Sequence, residues 1–165
     1  MTDPSPSPAN SLADLAGRWE RLRPEGGLPT RADFPTEALR PWLGNLMVLE
    51  VVDGEAEEPD FIYRLHGTHL TTLWGRDLTG LRVTDLPEEE AAPLLREYRE
   101  AFHSRAPLHI PGRQMVRKDY LRVEKLILPL TVKGIEVEQL LVGMNAVGGY
   151  AIQIDATAFA MRLRG

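Results

Sequence analysis

The sequence predicts an α+β domain in which a five-stranded antiparallel sheet carries helices on one face. Three observations carry the prediction. A β-branched run at 46–53 and an alternating run at 60–67 stand one turn apart. One amphipathic stripe, Ala91, Leu94, Leu95, Tyr98, Ala101 and Phe102, marks a long helix. Three further strand-like runs follow at 108–116, 120–130 and 136–147. Strands flanking helices gathered in one middle stretch share a sheet with one covered face.

The elements follow in order. Residues 1–11, rich in Pro and Ser, have almost nothing to bury and are expected to be a disordered tail. Ser11 opens a helix, with Asp14 in a capping-box position. Leu12, Leu15, Ala16, Trp19 and Leu22 recur at helical spacing, so this stripe must pack on something. "RPEGGLP" ends this flanking segment, residues 12–24, and the domain proper is read as 25–150. "PTEALRPWL" at 35–43 is a short helix that Pro41 limits.

In "DFIYRLHG", Phe61, Tyr63 and Leu65 alternate with Ile62, Arg64 and His66, which predicts two opposite faces. Thr68 is expected to cap a short helix through Trp74, ended by Gly75. Pro93 belongs in a first turn, which sets the long helix to begin near residue 90, with Glu88, Glu89 and Glu90 at its positive end. In "YLRVEKLILPL", Leu121 and Val123 share one parity and Leu126, Leu128 and Leu130 the other. Either a bulge near Glu124–Lys125 shifts the register or both faces are partly buried. "TVKGIEVE" turns at Gly134, and Leu140, Val142, Met144 and Ala146 then line one face. Residues 151–165 are a tail or short helix, with Ile152, Ala156, Phe159 and Leu163 at helical spacing.

Composition narrows function. With 165 residues, 43% of them hydrophobic, the chain fits one domain with a real core. A net charge of −5 opposes a duplex nucleic-acid partner, whose phosphates require a basic face. The absence of cysteine excludes disulfides, thiolate nucleophiles and Cys-ligated zinc. No apolar run approaches the roughly 20 residues of a membrane span, and "MTDPSPSPANS" has no signal-peptide core. A cytoplasmic protein without membrane contact is expected.

The element order and one stretch resemble a PAS domain. After its second strand such a domain runs into a polar residue, a short helix ending Leu-x-Gly, another glycine, then Asp-Leu. Thr68, Leu73, Gly75, Gly80, Asp85 and Leu86 stand in those places. The chain is still more similar to single-domain bacterial PAS-like proteins, through "LPTRADF", "YRLHGT", "GRDLTG" and "VEKLILPL", across residues 19 to about 147. It departs in a short Gly75–Gly80 spacing and in Thr68 where Asn is commoner. The resemblance implies sensing or binding, without an assigned ligand. It also implies self-association, since PAS-like domains often dimerise through a flanking helix.

Chemistry is sparse. Ser104 has only His103 beside it, on a divergent helical direction, and no Gly-x-Ser-x-Gly elbow is present. His66 and His69 are spaced H-x-x-H across a strand end and a helix start, without a third ligand, so no metal, haem or flavin is expected. Arg76 and Asp77 are expected to pair or to brace a loop, Asp85 to serve as a cap or turn acceptor, and "RQMVRK" (113–118) to form a basic hairpin patch. Of Glu124 and Lys125, whichever points inward becomes a site candidate, because a buried charge needs a partner.

A small-molecule pocket, if present, is expected between the sheet and the short helices. His69, Leu73 and Trp74 would wall it, Tyr98 and Phe102 would line the helix side, and Met144 the floor; the same residues equally make a packed core. Leu12, Leu15, Trp19 and Leu22 either dock a second copy in a homodimer or fold back on their own sheet. The expected function is a stand-alone, non-catalytic sensory or interaction module. No output domain is expected in cis, so it would signal through a partner protein or small molecule. The alternative is a small enzyme or binder on a nuclear-transport-factor-like cone, with Glu124 and His69 as acid and base.

Overall fold

The structure is a computed structural model that describes residues 11–115 and 118–146, with the side chains of 113–121 outside that description. The side chains of the basic run at 113–118, the N-terminal tail before Ser11 and the stripe from Ile152 to Leu163 therefore lie outside the described residues.

Five strands form one antiparallel sheet: β1 (Leu46–Asp53), β2 (Pro59–His66), β3 (Leu108–Met115), β4 (Lys118–Leu130) and β5 (Gln139–Ala146). Their order is β2-β1-β5-β4-β3, so the first strand pairs with the last. α3 (Thr68–Trp74) and α4 (Glu88–Ser104) fill the connection between β2 and β3 and lie on one face. α1 (Leu12–Leu22) and the short α2 (Thr36–Leu39) precede the sheet. Pro41 is accommodated because residues Arg40–Asn45 tighten into a 3₁₀ turn rather than continuing α2.

α1 begins as expected, with the Ser11 hydroxyl accepting from the Asp14 amide at 3.1 Å. Its stripe crosses the sheet face opposite α4. A Cβ on Gly143 would lie 2.7 Å from Leu12 Cδ2, so a bare strand position is what lets the helix settle this close. Trp19 Nε1 donates to the Pro129 carbonyl at 2.8 Å, and Trp42 Nε1 to the Ser11 carbonyl at 3.1 Å. Leu12, Leu15 and Trp19 are buried within their own chain, and Leu22 is half-buried. The middle of the sheet is therefore covered on both faces rather than one.

That double cover resolves the mixed parity of β4. The β4–β5 register runs without interruption from Val123↔Ala146 to Leu130↔Gln139, so β4 itself keeps its parity, and the register shift opposite Glu124 lies in β3, between Ile110 and Arg113. Leu126, Leu128 and Leu130 are buried on one face and Val123, Lys125 and Ile127 on the other.

Three other expectations are corrected. Phe61, Tyr63 and Leu65 do not share a face: β1 slips register between Val48 and Leu49, so Val48 pairs with Leu65 and Leu49 with Tyr63. The skipped residue, Arg64, reverses the parity beyond it. His66 is buried, while Leu65 is 39% exposed. α4 starts at Glu88, which puts Pro93 past the first turn. The cap of α3 is Gly67 rather than Thr68, which is already helical.

Gly67 holds that place for a steric reason. A Cβ there would sit 2.4 Å from the Gly44 carbonyl oxygen, a backbone atom that cannot swing aside. Gly67→Ala is expected to cost about 1–3 kcal/mol by overpacking, read as a lower urea midpoint with an unchanged slope.

Candidate functional site

The layer between the sheet and α4 contains a run of polar side chains where a simple core would be apolar. Lys125 shares its strand parity with Ile127, which points it under α4, and it is only 1% exposed. Its Nζ lies 3.3 Å from Glu97 Oε1 and 5.4 Å from the centre of the Tyr98 ring. Glu97 and Tyr98 are consecutive on α4, so carboxylate and aromatic face meet the ammonium from adjacent directions. The Tyr98 hydroxyl stands 3.4 Å from that of Tyr63 on β2, and burial pushes the Tyr98 phenol well above its ordinary pKa.

The run continues through rings. Tyr63 meets His66 edge-to-face at 6.1 Å, and His66 meets Trp74 the same way at 6.2 Å. Trp74, His66, Tyr63, Tyr98, Lys125 and Glu97 thus form one contiguous path from α3 to β4. His66 Nδ1 is 3.0 Å from Thr71 Oγ1 and 4.0 Å from Asp77 Oδ1. Its Nε2 is buried with no hydrogen-bond partner among the described residues. Asp77 itself accepts from the amide and hydroxyl of Thr79, which brace the loop and hold its carboxyl below the usual range.

Burial lowers the His66 pKa, and the Asp77 carboxylate opposes this only in part. The folded state therefore binds a proton at His66 less readily than the unfolded chain. The stability that comes from keeping the ring neutral is complete above the unfolded value, about 6.5. It is lost as the pH falls through the lower folded value. Thermal melts between pH 7.5 and 5.5 are expected to drop more steeply for the native sequence than for His66→Gln.

The residues nominated from sequence separate. Tyr98 and Trp74 belong to the polar path, and Met144, buried on β5, is the strand partner of Lys125 beneath it. Leu73 is half-buried against the core. Phe102 is half-buried as well and lines a different cavity, described below. His69 is exposed: its Nδ1 pairs with Asn45 Oδ1 at 2.9 Å, and its ring lies over Gly44. His69 and Glu124 find separate partners, since Glu124 lies 3.4 Å from His109 Nε2. Asp85 serves as a turn acceptor, taking the Arg82 amide at 2.8 Å.

Sequence reasoning left Tyr63 and Glu97 out of the site and weighed His66 only as a metal ligand beside His69. Strand alternation put Tyr63 on one face with Phe61, but nothing marked its hydroxyl as paired. Glu97 could have been found from its place next to Tyr98, opposite an inward Lys125. Among the described residues, no three His, Asp or Glu side chains converge as metal ligands, and no helix is long and apolar enough to cross a membrane.

Strand order and the helices between β2 and β3 define an α+β fold in which a few polar side chains are buried under α4. A family model described as PAS domain matches residues 8–144, and the chain belongs to that family. A comparison with curated proteins finds no match.

Proposed function

We propose that this PAS domain is a non-catalytic, cytoplasmic sensory module whose input is received at the polar path between the sheet and α4. The observation that supports this reading is the Lys125–Glu97 pair, set at 3.3 Å in the core beside Tyr98. A buried ion pair is seldom a gain in stability over apolar residues of the same shape, so its presence calls for another use. Here it ties β4 to α4, and any small polar molecule or proton that competes for either partner shifts a helix against the sheet. Output then passes to a partner protein or to a second copy. The exposure of Leu65, 39%, on the sheet face that α1 crosses supports the second route.

The test is a thermal-shift screen of the full chain against a library of polar metabolites, repeated on Lys125→Met/Glu97→Leu. A ligand that binds only the folded state raises the midpoint as its concentration exceeds the dissociation constant. Stabilisation of the native sequence that disappears in the double variant supports the site. Equal stabilisation of both proteins removes it, as does a library without effect. Light scattering over a concentration series decides whether a second copy is a partner.

A further inference from the structure

We infer that a separate groove, at the end of the sheet away from the β1 start, docks a segment of a partner protein that carries arginine or lysine beside apolar side chains. This inference is independent of the polar path. The groove lies between the β1–β2 connection, the C-terminal end of α4 and the β4–β5 hairpin, and has a volume of about 1000 Å³. That is the upper end of the range for small-molecule sites, roughly 300–1,000 Å³, which leaves room for several side chains.

Its charge is one-sided. Six carboxylates line it, Glu50, Asp53, Glu57, Glu58, Glu136 and Glu138, against one arginine, Arg105. Three already have uses. Glu50 pairs with Arg64 at 2.8 Å, and Glu58 lies 2.9 Å from His103 Nε2. Glu138 accepts from the amides of Val132 and Lys133 and the Thr131 hydroxyl, hydrogen bonds that hold its carboxyl below the usual range. Asp53, Glu57 and Glu136 have no side-chain partner among the described residues.

A second observation points the same way. Gln139 lines the groove, and its Oε1 is buried without a hydrogen-bond donor among the described residues. Buried acceptors of this kind are rare, and a donor entering beside the half-buried Gln139 side chain satisfies it. An incoming guanidinium or ammonium supplies donors and positive charge together.

The apolar half of the match is also present. Phe102 and Val137 form part of the wall. On the hairpin, Val132 is 54% exposed and Ile135 is 76% exposed. Glu138 fixes the turn that displays them, so these side chains are offered on a rigid support, which lowers the ordering cost of docking. A lone metal ion or a thin polyamine would leave this apolar surface uncovered, whereas a peptide segment covers it.

The experiment is fluorescence anisotropy of the full chain with a labelled eight-residue peptide of alternating leucine and arginine, its leucine–glutamate counterpart, and spermine. The arginine peptide is expected to bind saturably and more weakly as salt rises. Asp53→Asn/Glu136→Gln should raise its Kd about tenfold. Glu20→Gln/Glu25→Gln, an equal charge change at exposed sites on and after α1, should leave it unaltered. No binding, or the same Kd in both double variants, overturns the inference. Spermine binding with the same dependence while the peptide shows none overturns it in favour of a small polycation. If Arg162→Ala/Arg164→Ala tightens peptide binding, the chain's own C-terminal arginines compete for the groove, and a separate partner is not its occupant.

Discussion

Trp19→Ala is expected to destabilise the domain by about 3–5 kcal/mol, the range for removing a large buried aromatic. Trp19 is fully buried between α1 and the sheet, so its loss opens a cavity that the rigid strands cannot close. It also removes the donor to the Pro129 carbonyl, the link that fixes how α1 sits across β4. Trp19→Phe separates the two contributions. It refills most of the volume and should lose only the hydrogen bond and some contact, about 1–2 kcal/mol. Chemical denaturation of the three proteins measures both steps. A loss under 1 kcal/mol for the alanine variant would mean that α1 is not docked on its own sheet in solution.

Glu97→Ala is expected to cost about 3–5 kcal/mol, because it removes the carboxylate beside an ammonium that is 1% exposed. The attraction of Lys125 to the Tyr98 ring offsets only part of that loss. Lys125→Met/Glu97→Leu removes both charges and keeps the volume, so it should return to within about 1 kcal/mol of the native sequence or exceed it. The two single variants and the double variant form a cycle, and its coupling term measures the pair directly. Additive losses would show that the two side chains do not interact in solution.

The fold was legible because its signals are local and periodic. The α4 stripe, the β1–β2 hairpin and the Gly75 terminator each depend on a few neighbouring residues, and each is found in place. The errors arose where distant parts of the chain decide. Nothing near Arg64 reveals that β1 slips register opposite it, yet that slip turns His66 inward and Leu65 out. The mixed parity of β4 was equally opaque until α1 was seen on the second face, because periodicity fixes which face of a helix is apolar but not what covers it. The polar path was half visible. Lys125 stood out as a charge within an apolar strand, whereas Glu97 reads locally as an ordinary solvated residue on a helix. His69 attracted notice for its residue type and proves to belong to a hydrogen-bonded corner with Asn45.

The place of β1 in the sheet also governs when the domain can fold. Its two neighbours are β2, which follows at once, and β5, the last strand described. Leu12 of α1 rests against Gly143 of that same strand. A nascent chain emerging from the ribosome can form the β1–β2 hairpin early, but α1 and the open edge of β1 must wait for nearly all the described residues. Closing so long a loop before its contacts reward it slows folding relative to a helical bundle of equal length. During that interval the Leu12, Leu15 and Trp19 stripe faces water, in a state open to chaperones and to other unfinished copies.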